Sequence, residues 1–77
     1  MEIVSALFGI TKHALSIADT KVSRKYLDEV LKLEQAYYDE QKKPEYRRNH
    51  AVMDNAVNRL CLISETTARF GTSGTKD

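Results

Sequence analysis

"QKKPEYRRNH", residues 41–50, decides how this chain folds. It holds the only proline, Pro44, with four strong bases, Tyr46 and His50. Residues before a proline avoid the helical region, and proline suits the first turn of a new helix. The stretch therefore reads as a turn. One helix stops at "KKP" and another starts at Pro44. Glu45 then lies near the positive end of the new helix, and Lys42 and Lys43 near the negative end of the old one. Each placement has a structural reason that needs no ligand.

The spacing on both sides supports helices. Upstream, Val22, Tyr26, Val30, Leu33 and Tyr37 form one stripe at steps of four, four, three and four, widened by Leu27, Leu31 and Tyr38. Lys25–Glu29, Asp28–Lys32 and Asp39–Lys43 are opposite charges at i,i+4 on the other face. Downstream, Tyr46, His50, Met53, Val57, Leu60, Ser64 and Thr67 alternate steps of four and three, as a heptad seam does. Gly71 is a natural stop after Phe70. The amino-terminal segment is helical as well and more apolar. Ile3, Leu7, Ile10, Ala14 and Ile17 make one heptad seam, and Val4, Phe8 and Leu15 a second stripe. Its apolar arc is rotated by about 130° from that of the next segment, at 100° per residue. A break near Asp19 and Thr20 is the simpler answer, since either residue can cap a new helix. The alternative is one continuous helix that uses one face within the chain and another between chains. No period-two run and no Asn-Gly or Asp-Gly pair suggests a strand.

The expected fold is all-α, a three-helix arrangement in one small domain over residues 1–70. The helices are placed at about 2–18, 20–43 and 45–70, with a flexible tail at 71–77. The last two form an antiparallel, coiled-coil-like hairpin. The first packs across the hairpin's open end or against a second chain.

Composition narrows the function. The 77 residues carry a net charge of +1, which is no electrostatic footprint for nucleic acid or an anionic membrane. The longest nearly apolar run, "IVSALFGIT" at 3–11, is well short of the roughly 20 residues that span a bilayer. Glu2 follows Met1 where a secretory signal would be basic. The lone Cys61 cannot form an internal disulfide. A reducing cytoplasm is the expected location, the host's if the gene is viral.

No catalytic constellation stands out. His50 and Asp54 lie i,i+4 but have no second pair to complete a metal site. Cys61 reads as a small hydrophobe beside the seam. There is no phosphate-binding glycine loop and no HExxH. The expectation is a chain with no catalytic residue, metal, cofactor or small-molecule substrate. It is a small helical protein–protein interaction module, such as an adaptor, inhibitor or assembly factor, acting as a homo-oligomer. Short chains of this kind are common among accessory proteins of phages and mobile elements. Its partners would be a second copy and an unidentified protein.

Two surfaces are candidates. The first is the amino-terminal seam of Ile3, Leu7, Ile10, Ala14 and Ile17, since this segment is apolar around more of its circumference than one neighbour covers. The second is the turn, with Tyr38, Lys42, Lys43, Tyr46, Arg47 and Arg48, because tyrosine and arginine are enriched at binding hot spots. The alternative function is weak nucleic-acid binding by the basic turn, although residues 39–48 sum to only +1. A third reading is a peripheral membrane protein that uses helix 1.

Overall fold

A computed structural model describes the backbone of residues 3–76 and the side chains of residues 3–69. It is all-α. Three helices, α1 (Ile3–Ala18), α2 (Lys21–Gln41) and α3 (His50–Lys76), pack against one another, with a 3-10 turn at Glu45–Arg47 before α3. No strand occurs among the described residues.

The α1–α2 break falls at Asp19 and Thr20. Asp19 adopts φ 46°, in the left-handed region that a short polar side chain tolerates. Thr20 is extended and caps α2: its Oγ1 accepts the Ser23 N–H at 2.9 Å, and Ser23 Oγ accepts the Thr20 N–H at 2.8 Å. This reciprocal box satisfies two donors that a helix start leaves unpaired.

The start of α3 differs from expectation. Pro44 begins no α-helix: it is extended (φ −57°, ψ 149°), and only the 3-10 turn follows it. The α-helix begins at His50, because Asn49 caps it. Asn49 Oδ1 accepts the N–H groups of Ala51 and Val52 at 3.1 and 3.3 Å. At the other end the helical backbone continues past Gly71 to Lys76. Glycine costs roughly 1 kcal/mol of helix propensity but does not forbid the conformation. The expected helix start at Glu2 and the last residue of the expected tail, Asp77, lie outside the described residues.

The helices meet in a consistent order. Along α1, Ser5 bonds Tyr38 and Lys12 bonds Glu34, so α2 is met in reverse. Along α3, Asn49 meets Glu40 and Arg59 meets Glu29, again in reverse. The core draws Phe8 and Leu15 from α1, Val30 and Tyr37 from α2, and Ala56, Leu60 and Ile63 from α3. Full burial of a side chain such as Phe, Leu or Ile contributes about 1.5–3 kcal/mol. At one end Phe8, Tyr37 and Tyr38 form an aromatic cluster with centroids 5.2–6.0 Å apart.

Burial corrects the expected stripes in places. On α2 the buried line is Ser23, Val30 and Tyr37, while Val22 and Leu31 are exposed. The capping role of Ser23 turns it inward and rotates Val22 outward. On α3 the seam begins later than expected: Tyr46 and His50 are both exposed, because the chain there is still a turn and a helix start. Cys61 is exposed rather than packed beside the seam. Glu29 and Lys43 take other partners than the i,i+4 pairs would give, namely Arg59 on α3 and Glu40.

Candidate interaction surfaces

The α1 helix has two apolar faces, and the fold uses one. Phe8, Thr11 and Leu15 are buried, with Val4 and Leu7 packed on the core as partly buried neighbours. The other face turns out. Ile3 is 83%, Ile10 66% and Ile17 68% exposed. Leu7 and Ala14, the other seam members, are half-buried. The seam read from the sequence is thus largely on the surface. Aromatic packing of Phe8 and the Lys12–Glu34 ion pair select which face points inward.

This outer face carries one ionisable side chain, the exposed His13, three residues after Ile10 and four before Ile17. Between residues 3 and 18 the only full charge is Lys12. Its Nζ lies 2.9 Å from both carboxylate oxygens of Glu34, and both side chains are largely covered. A Cβ built on the exposed Gly9 would meet nothing within 4 Å.

At the turn, the structure divides the candidate residues into two groups. Arg48, Lys43 and Tyr38 are engaged within the chain. Arg48 donates from Nε to the Lys43 carbonyl and from Nη2 to the Gln41 carbonyl, each at 3.0 Å, and pairs with Glu45. Those carbonyls sit where α2 ends and its own helix supplies no donors. Lys43 Nζ lies 2.8 Å from Glu40 Oε2, and Glu40 Oε1 accepts the Asn49 N–H at 2.8 Å. Donation by Lys43, then by the Asn49 N–H, holds the Glu40 carboxyl below its ordinary value. Tyr38 bonds Ser5 and packs on Phe8 and Tyr37.

Lys42, Tyr46 and Arg47 point outward. Tyr46 is 83% exposed, with the Arg47 guanidinium 5.9 Å from its ring centroid. The six residues therefore form no single surface. Three brace the turn and three decorate its tip. Sequence reasoning passed over Glu40 and Asn49, which organise this end. The Asn immediately before "HAVM" was a legible cap signal.

Elsewhere, Arg59 Nη2 donates to Glu29 Oε1 at 3.0 Å, and this bond holds the Glu29 carboxyl low. His50 Nε2 is 3.4 Å from Glu45 Oε1 on the surface. Among the described residues, no group of three or more His, Cys, Asp or Glu could hold a metal ion. Among them too, no helix is long and apolar enough to cross a membrane.

Comparison with protein-family models, curated proteins and solved structures finds no match. The functional reading therefore rests on the two surfaces themselves, and they are unequal. On α1, Ile3, Ile10 and Ile17 stand exposed among the described residues, while Leu7 between them packs on the core. The turn tip is small, polar and discontinuous.

Proposed function

We infer that the chain is a small, non-catalytic helical interaction module that associates with itself through the outer face of α1. One observation carries this reading. Ile3, Ile10 and Ile17 stand exposed on one helix face, although the three-helix core is complete without them. An apolar line of this length marks an interaction site more often than a plain surface. An adaptor, inhibitor or assembly role fits such a module. A cytoplasmic setting fits a chain whose only thiol, Cys61, is exposed and free.

The test is sedimentation of the full chain from low to high micromolar concentration. The expected result is a concentration-dependent dimer or larger species. Ile10→Asp should sediment as a monomer with an unchanged circular dichroism spectrum. A wild-type monomer at the highest concentration defeats the reading.

A second reading takes support from the same face, which would also suit a lipid surface. Interfacial helices usually carry Lys and Arg along the polar side. Here Lys12 is held by Glu34. Pelleting with vesicles tests this directly. Nucleic-acid binding at the turn is weakened as a proposal. With Arg48 and Lys43 braced inside the chain, Lys42 and Arg47 supply few phosphate contacts.

A further inference from the structure

We draw no further inference here: the strongest candidate, the exposed face of α1 marked by Ile3, Ile10 and Ile17, carries nothing beyond the self-association already proposed, because nothing in the structure shows what covers it.

Discussion

Glu40 Oε1 accepts the backbone N–H of Asn49 at 2.8 Å, so a carboxylate in the last turn of α2 fixes the residue that caps α3. Its second oxygen holds Lys43 at 2.8 Å. The two bonds make this carboxylate a clasp across the chain reversal. Because they lower its pKa from the ordinary 4.5, they stabilise the fold above that value. The contribution fades as pH falls through the lowered pKa. Glu40→Gln should therefore be less stable than wild type at pH 7. The difference should shrink on acidification below the ordinary glutamate range. Urea denaturation at a series of pH values measures it, and a pH-independent difference would contradict the clasp.

Arg47 and Arg48 are adjacent and alike in sequence but opposite in role. Arg48 serves two end carbonyls and a carboxylate, so Arg48→Ala should cost about 1–2 kcal/mol. Arg47 lies over the exposed Tyr46 ring, and Arg47→Ala should stay within about 0.5 kcal/mol. Equal midpoints in chemical denaturation would contradict this division.

Thr11 is buried, and its Oγ1 has no hydrogen-bond partner. Thr67, also buried, donates to the Ile63 carbonyl at 2.7 Å. A buried hydroxyl without a partner costs about 1–3 kcal/mol, whereas a satisfied one costs little. Thr11→Val should raise stability by about 1 kcal/mol or more. Thr67→Val should gain less. A destabilised Thr11→Val protein would show that the hydroxyl is bonded after all.

The two faces of α1 make opposite predictions for stability. Phe8→Ala removes a fully buried ring and should cost about 3–5 kcal/mol, enough to unfold a domain this small. Ile10→Ala, on the outer face, should change monomer stability by less than about 0.5 kcal/mol. Thermal melts at low protein concentration, where association is absent, check the contrast. Similar losses at both positions would mean that the inward face has been misassigned.

Much of this fold was legible in the residues. Helical spacing and the missing strand signals gave the class, and Thr20 marked the α1–α2 break because capping is local chemistry. The start of α3 was misread because Pro44 is compatible with a helix start without requiring one, while Asn49 supplies the bonds that fix it. Which stripe of α1 turns inward was not legible. Both stripes are apolar, and the choice depends on Tyr37, Tyr38 and Glu34, which lie far along the chain. The turn candidates divided for the same reason. Adjacent arginines look alike until the carbonyls that one of them reaches are in place.

The two connections bear on how quickly the chain finds its shape. Only Asp19 and Thr20 separate α1 from α2, and eight residues separate α2 from α3. Each helix therefore meets its successor across a short loop, and closing such a loop takes about 10–100 ns. Helical domains rich in near-neighbour contacts fold in microseconds to milliseconds. The α1–α3 contact is the one that must wait, since all of α2 lies between them. Stopped-flow refolding should therefore be nearly complete within the mixing time. Phe8→Ala should slow folding as well as speed unfolding, because Phe8 packs on Tyr37 and Tyr38 of α2 across the shortest connection.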